Sequence, residues 1–297
     1  MKNLQETFTE LLRRAATDLP ADVEAAIDRA LREERRGTAA HSALTIIQQN
    51  TAAARETSAP LCQDTGTHTW YVYLPDGHPT GEITKAIRGA TALATKKSYL
   101  RPNQMDAVSG TNSGDNLGVG HPVVHFVPWK KSGLHAEVLL KGGGCENCST
   151  QYSLPDQRLG AGRDLPGVRA CLLDAVHRAQ GRGCAPGILG VAIGGDRTLS
   201  YQAAKEQFFR PVHDVNADPQ LAALEADVLS CGNRLGVGPM GFGGRTTLLG
   251  VKAVRLHRLP ASFFVTVAYM CWACRRAAVT LAGKDARFSQ PTLTGRP

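Results

Sequence analysis

The chain has 297 residues, enough for one large domain or two ordinary ones, and its 42% hydrophobic and 20% charged content is that of a globular protein with a sizeable core. Its formal charge of +8 is spread over scattered lysines and arginines, with no dense basic tract interleaved with aromatics, which argues against nucleic acid and leaves a solvated surface or attraction of a small acidic molecule. No apolar run approaches the ~20 residues that span a bilayer, and Met1–Glu6 has no secretory h-region, so a cytoplasmic protein is expected whose eight cysteines are buried thiols, metal ligands or catalytic groups rather than disulfides.

Leu4, Phe8, Leu11, Leu12 and Ala15 recur at helical spacing and predict a helix over 4–16. Pro20 starts a second helix to about Arg35, with Val23, Ala26, Ile27 and Leu31 on one face, and a third fits 40–56. This helical segment, 1–57, carries nothing that looks like chemistry and is assigned to packing. The chemistry is expected in 58–297, continuous with it. A strand fits 69–74, then the turn Pro75-Asp76-Gly77, then a helix over 81–95 that Leu100-Arg101-Pro102-Asn103 ends. Ser109 to Gly120 is loop throughout. Strands fit 122–128 and 134–140. A helix fits 166–180, and Cys184-Ala185-Pro186 opens a buried strand from Gly187 to Ile193. Helices fit 198–209 and 217–230, strands fit 250–258 and 262–270, and the tail from Asp285 reads as frayed. Strands alternating with helices point to an α/β chain of mixed α+β character: a helical N-terminal segment, then mixed sheets and helices.

Three glycine-rich turns, Gly142–Gly144, Gly194-Gly195 and Gly241–Gly244, follow or flank strands. Such turns let backbone N–H groups meet an anion, and ordinary turns explain any one of them equally well. None fits a dinucleotide or P-loop pattern. Cys145/Cys148 and Cys271/Cys274 form two Cys-x-x-Cys pairs. Their separation exceeds that of a zinc ribbon, which leaves a discontinuous zinc site as a minor reading. Cys271-Trp272-Ala273-Cys274 also fits a thiol-redox motif, provided that a helix follows the strand. Cys171 and Cys231 read as structural. His68, His121, His125 and His213 are scattered, and no metal role is assigned to them. No G-x-S-x-G elbow occurs, which argues against a serine hydrolase. Arg101, Arg197, Arg234 and Arg245 stand at element ends, where a guanidinium fork suits a dicarboxylate as well as open solvent.

Several stretches gain weight together: Cys62-Gln63-Asp64-Thr65-Gly66, Leu100-Arg101-Pro102-Asn103, Asn112-Ser113-Gly114-Asp115-Asn116, Gly142-Gly143-Gly144, Cys184-Ala185-Pro186 leading to Gly194-Gly195, Gly236–Gly244 with Arg245-Thr246-Thr247, and Cys271. In this order, over about 40–280, they resemble the α subunit of the two-subunit, iron–sulfur class I fumarate hydratase and L-tartrate dehydratase family. The resemblance implies a [4Fe–4S] cluster on Cys62, Cys184 and Cys271, a choice that spacing alone does not make among eight cysteines. Three thiolates on such a cube leave one iron without a protein ligand, able to act as a Lewis acid on a substrate hydroxyl. The resemblance further implies Asp64 as the acid/base group, with Gln63, Arg101 and the Gly142, Gly143 and Gly144 backbone against substrate. Single-chain members carry further site groups in a second domain, so a separate β subunit and a hetero-oligomer are expected. The implied activity is a hydro-lyase on a small dicarboxylate, fumarate to malate, with L-tartrate to oxaloacetate as the alternative. Cys145 and the Trp272–Arg276 details look closer to tartrate dehydratases, whereas Arg101-Pro102-Asn103 and Gly114-Asp115-Asn116 look closer to fumarases. A zinc-binding or thiol-redox module on the Cys-x-x-Cys pairs is the reading from another class.

Overall fold

A computed structural model describes residues 2–283, 285–291 and 293. Helices α1 (Lys2–Thr17), α2 (Ala21–Glu33) and α3 (Ala39–Thr57) precede strand β1 (Thr67–Leu74), α4 (Thr80–Lys96), β2 (Val123–Pro128), β3 (Leu134–Lys141), the short α5 (Gly143–Cys148) and β4 (Thr150–Ser153). There follow α6 (Leu165–Ala179), β5 (Gly187–Ile193), α7 (Arg197–Glu206), α8 (Pro219–Arg234), β6 (Leu248–Arg255), β7 (Phe264–Met270), β8 (Arg275–Ala282) and β9 (Asp285–Ser289). The mixed α/β class with a helical start is as the sequence indicates, and each expected helix and strand recurs within a few residues.

Four elements are additional: α5, β4, β8 and β9. The expectation of a frayed tail from Asp285 is corrected over its first residues. Asp285–Ser289 pairs antiparallel with β8, Val279 opposite Phe288, and the Arg14 guanidinium covers the Phe288 ring at 4.2 Å. A partner strand supplies what the local sequence lacks. β8 itself is hidden in the sequence because it opens on Arg275-Arg276, a pair that reads as surface; both side chains are buried.

The chain divides into two compact units. The first comprises Met1–Pro20, Gln49–Gly143 and Ala273–Pro297. Its sheet runs β2-β1-β3-β8-β9, with β1 parallel to β2 and the other neighbours antiparallel. Because strand side chains alternate, Trp70 and Val72 of β1, Val138 of β3 and Val279 of β8 share the core with Phe8, Leu11 and Leu12 of α1 and Ile87 and Ala90 of α4. Leaving such side chains in water instead costs about 1.5–3 kcal/mol each, and this burial holds the sheet against the helices.

The second unit comprises Ala21–Gln48 and Gly144–Trp272. Its sheet runs β4-β7-β5-β6, with β5 parallel to β6 and antiparallel to β7. Leu189 and Val191 of β5, Val265 and Val267 of β7 and Val251 of β6 pack on Val168, Leu172 and Val176 of α6 and on Leu224 and Val228 of α8. Three helices of this unit start on aspartates. Asp164 accepts the Gly167 N–H, Asp196 those of Thr198 and Leu199, and Asp218 that of Gln220. Each such cap is worth about 1 kcal/mol.

A buried polar network ties the loop after α7 to α8 and β6. Glu225 accepts from both terminal nitrogens of Arg210 (2.7 and 3.2 Å), from the Asn216 amide at 2.8 Å and from the Ala253 N–H at 2.6 Å. Arg210 also pairs with Asp214 at 2.9 and 3.0 Å. Removing one member strands the others in a low-dielectric setting. Glu225→Ala is therefore expected to lose about 3–5 kcal/mol of unfolding free energy, read as a lower urea midpoint. A loss below about 1 kcal/mol, the range of exposed pairs, would show that the network is not closed to water.

Candidate functional site

In the first unit the residues after α3 are pinned before any chemistry begins. The Leu61 N–H donates to the Ala16 carbonyl at 2.9 Å, and the Asn50 amide donates to the Leu61 carbonyl at 3.0 Å. Cys62, partly exposed, comes next. Thr65 then makes the central contact. Its hydroxyl accepts the Arg101 N–H at 2.8 Å and donates to the Arg101 carbonyl at 2.9 Å. The Asn116 side chain braces the same turn. Its carbonyl accepts the N–H groups of Asn103 (2.8 Å) and Gln104 (3.2 Å), and its NH2 donates to the Arg101 carbonyl (2.8 Å) and the Thr95 hydroxyl (2.9 Å). With its amide turned to satisfy both ends, Asn103 donates to the carbonyls of Gln63 (3.3 Å) and Arg101 (2.9 Å). Three of the sequence stretches singled out above thus meet through backbone-directed hydrogen bonds, and the Arg101 side chain is left exposed.

The Asp64 carboxylate is held within this arrangement. Its Oδ1 accepts the Gly66 N–H at 3.0 Å, and its Oδ2 lies where a Cβ on Gly142 would be, 2.8 Å from that position. Gly66 has φ +78°, and a Cβ there would stand 2.5 Å from the Lys141 carbonyl. Only glycine lets the turn lie against the end of β3. Gln63, Asp64, Arg101, Gly142 and Gly143 all belong to this unit; Gly144 falls in the second, and Gly143 and Gly144 are already in α5.

In the second unit Cys184 sits on an exposed turn with φ 53° and ψ 60°. A left-handed non-glycine residue costs of order 1–3 kcal/mol and concentrates at functional positions. The Trp272 N–H, just past Cys271, donates to the Cys184 carbonyl at 3.4 Å. Tyr269, two residues before Cys271, fills the space over two bare glycines. A Cβ on Gly183 would stand 2.3 Å from its ring, and one on Gly187 2.3 Å from its hydroxyl. The Tyr269 N–H donates to Ser149 Oγ at 3.1 Å, and that hydroxyl donates to the Cys145 carbonyl at 3.0 Å. Burial, and the nearby Cys271, Cys145, Cys148 and Cys184, push the Tyr269 phenol far above its ordinary value. Its hydroxyl is buried with no hydrogen-bond partner among the described residues. Cys184, Cys271, Cys145 and Cys148 of this unit are thus all near enough to act on the Tyr269 phenol. Tyr269 carried no signal in the sequence. Only the unusual pair Gly183 and Gly187 flanking Cys184 hints at a large ring.

The two Cys-x-x-Cys pairs differ in context: Cys145 and Cys148 lie in α5, directly after β3. A structural zinc needs four ligands about 2.0–2.3 Å from one point. Among the described residues, which include all eight cysteines, no group of three or more His, Cys, Asp or Glu side chains converges in that way, and Cys62, Cys184 and Cys271 are no exception. Cys271–Cys274 lies between two strands, not at a helix start, so the redox-motif context is absent there. Cys171 is buried in the core, its thiol pushed up to about 12 by burial first and then by Asp156 and Asp174. Arg197 is occupied by Gln151 Oε1 (2.9 Å), Ser153 Oγ (3.2 Å) and the Phe264 ring, and Arg234 by Cys231 Sγ (2.9 Å) and Ser230 Oγ (3.3 Å).

Two histidines left unassigned by the sequence prove to be neighbours. The rings of His68 and His121 lie 4.8 Å apart, both buried, with both nitrogens of His68 and Nε2 of His121 lacking partners among the described residues. Burial, with His121 and Arg275 adding to it, holds His68 well below its ordinary value; burial and then Arg88 bring His121 from 6.5 to about 4. Both are neutral when folded, whereas the unfolded chain takes up their protons below pH 6.5. The stability they contribute is complete above 6.5 and drains as pH falls through about 4. Thermal melts of the protein should shift down steadily across that window, and His121→Gln should flatten the shift. An identical pH slope in the variant would contradict this.

A family model described as fumarate hydratase (Fumerase) matches residues 5–280. A Geobacillus stearothermophilus protein with the provisional name fumarate hydratase class I is 50% identical over 282 residues, covering 94% of this chain and 55% of that protein. A Methanocaldococcus jannaschii protein provisionally named L(+)-tartrate dehydratase subunit alpha is 30% identical over 279 residues, 92% of this chain and 96% of the relative. The L(+)-tartrate dehydratase subunit alpha of Escherichia coli K12 is 29% identical over 252 residues, 82% of this chain and 80% of the relative. The chain thus spans about half the length of the first of these relatives and most of the other two.

Proposed function

The chain belongs to the fumarate hydratase (Fumerase) family, and from that premise we propose that it is a hydro-lyase subunit interconverting fumarate and malate with a [4Fe–4S] cluster held by Cys62, Cys184 and Cys271. The observation that carries this reading is the placement of Asp64 in the first unit. The Thr65 clamp holds its loop to Arg101, and its carboxylate is seated on Gly142. The donor chemistry suits the cofactor. Soft thiolates are the ligands of iron–sulfur centres; Cys184 projects on a strained exposed turn, and two residues before Cys271 stands a buried tyrosine hydroxyl without an acceptor among the described residues. The cluster, when bound, supplies a Lewis-acidic iron that makes hydroxyl a better leaving group.

The protein's own residues do the rest. Asp64 takes the proton from the carbon beside a substrate carboxylate and returns it in the reverse direction. Its bond from the Gly66 N–H fixes the plane of the carboxylate. Arg101, anchored only through its backbone, offers a planar fork to a carboxylate and stabilises the charge that develops as the proton leaves. The Gln63 amide and the backbone of Gly142, Gly143 and Gly144 complete the recognition. We assign the remaining cationic groups to a separate β subunit, in a hetero-oligomer. The support is that two relatives, covered to 96% and 80% of their length, are named alpha subunits. The same two names support L-tartrate dehydration to oxaloacetate as the second reading; the 50% identity favours fumarate. No helix among the described residues is long and apolar enough to cross a membrane, and our reading places the protein in the reducing cytoplasm, which suits its thiols.

Co-expression with its partner chain and anaerobic purification should give brown protein, active on fumarate and malate above L-tartrate and mesaconate. Cys62→Ser, Cys184→Ser and Cys271→Ser should each lose iron and activity, while Cys148→Ser and Cys274→Ser keep the cluster. A Cys184→Ser protein with full iron content would overturn the ligand assignment. Asp64→Asn should keep iron and lower kcat by about 10²–10⁴-fold. Gly142→Ala, whose Cβ would stand 2.8 Å from Asp64 Oδ2, should reproduce much of that loss; unaltered kcat in both would remove Asp64 from the reaction.

A further inference from the structure

Tyr269 is the large buried polar side chain that the reaction above does not use. Its backbone pairs with Leu189 of β5 in the middle of a sheet, so the position of its ring is fixed by a rigid element. The ring is sandwiched against the turn that carries Cys184, because Gly183 and Gly187 on either side of that turn have no Cβ to exclude it. Its backbone N–H is tied through Ser149 to the α5 segment that bears Cys145. It precedes Cys271 by two residues. Three separate cysteine-bearing segments are thus keyed to one phenol. The hydroxyl at the end of that ring has no partner among the described residues, and a phenol O–H buried without one is destabilising. A phenylalanine would fill the same slot without that penalty. The cysteines Cys271, Cys145, Cys148 and Cys184 act on the phenol electrostatically but none bonds its hydroxyl, and sulfur accepts a hydrogen bond well only when it carries negative charge.

We propose that Tyr269 is a positioning residue whose O–H donates to an anionic sulfur of the cluster site, a cysteine thiolate or a sulfide of the cluster, and thereby raises the cluster's reduction potential. The inference rests on the cluster reading above. A hydrogen bond to sulfur withdraws electron density and favours the more reduced, more negative state of the cluster. The iron is then kept against oxidation while it serves as a Lewis acid. Tyr269 touches neither the reacting carbon nor the leaving oxygen.

Tyr269→Phe tests this in the co-expressed, anaerobically purified complex. The metal-free variant should melt at the same temperature as the wild type or higher, since the lost oxygen had no protein partner; a packing role would lower it. The loaded variant should hold the same iron and sulfide. Its oxidised-to-reduced ratio at fixed potential should rise about threefold to tenfold, a fall of about 30–60 mV in a one-electron midpoint. Air bleaching of the visible absorption should accelerate accordingly. Resonance Raman iron–sulfur bands of the wild type should shift between H2O and D2O, and part of that shift should vanish in Tyr269→Phe. Gly187→Ala, which keeps the tyrosine but places a Cβ 2.3 Å from its hydroxyl, should lower the midpoint in the same direction. Equal midpoints and equal solvent-isotope shifts in wild type and Tyr269→Phe overturn the proposal while leaving the cluster intact. Wild-type protein without iron and sulfide overturns the cluster reading, and this inference with it.

Discussion

Two hydrogen bonds between the Thr65 hydroxyl and the backbone of Arg101 are the contact on which the first unit's chemistry depends. They join residues 36 positions apart, and they do so through main-chain groups, so the guanidinium remains available. A hydroxyl suits this role because it can donate and accept at once. Thr65 is buried, so the pair of bonds is shielded from competing water. Asn116 repeats the device one shell out, using both ends of its amide on the same turn. Asp64 then has no freedom to wander: one oxygen is bonded to the Gly66 N–H, and the other lies against Gly142.

The second unit solves a different problem by different means. Its cysteines are placed by packing on Tyr269, with the Ser149 bridge to the Cys145 carbonyl and the Trp272 N–H on the Cys184 carbonyl beside it. A tyrosine ring lies where glycine leaves room, and the turn bearing Cys184 has to follow it. A larger polar network in the same unit, of Arg210, Glu225 and Asp214, joins loop, helix and strand. That network touches no residue of the proposed site and is a matter of stability alone. The contrast fits the chemistry. A proton-transferring carboxylate needs a defined orientation of a small group, whereas soft thiolate ligands need their segments brought to one place.

Much of this was legible beforehand. Helical periodicity in α1, α2, α4 and α6 and the apolar runs of β1, β5 and β7 were strong local signals, and the structure keeps them. β8 and β9 were not legible. Two buried arginines open the first, and the second is a strand only because β8 offers it an edge. His68 and His121 are separated by more than fifty residues and meet only in the folded unit. The residues of the Cys62–Gly66 stretch, Arg101 and the glycine triplet were recognisable as motifs, but nothing in their spacing said that Thr65 would grip Arg101.

The sequence alone determined the element types, the mixed α/β class and the identity of the chemical groups, because these depend on short-range periodicity and on which side chains are present. The tertiary structure alone decided that α1 belongs with β1 and β8 while α2 belongs with β6. It also decided that Asp64 rests on Gly142, and that Tyr269 lies against Gly183 and Gly187 with its hydroxyl unanswered among the described residues. These are contacts between residues far apart in the chain. Their energy comes from excluding water around a particular pair, and no local pattern encodes which pair that will be.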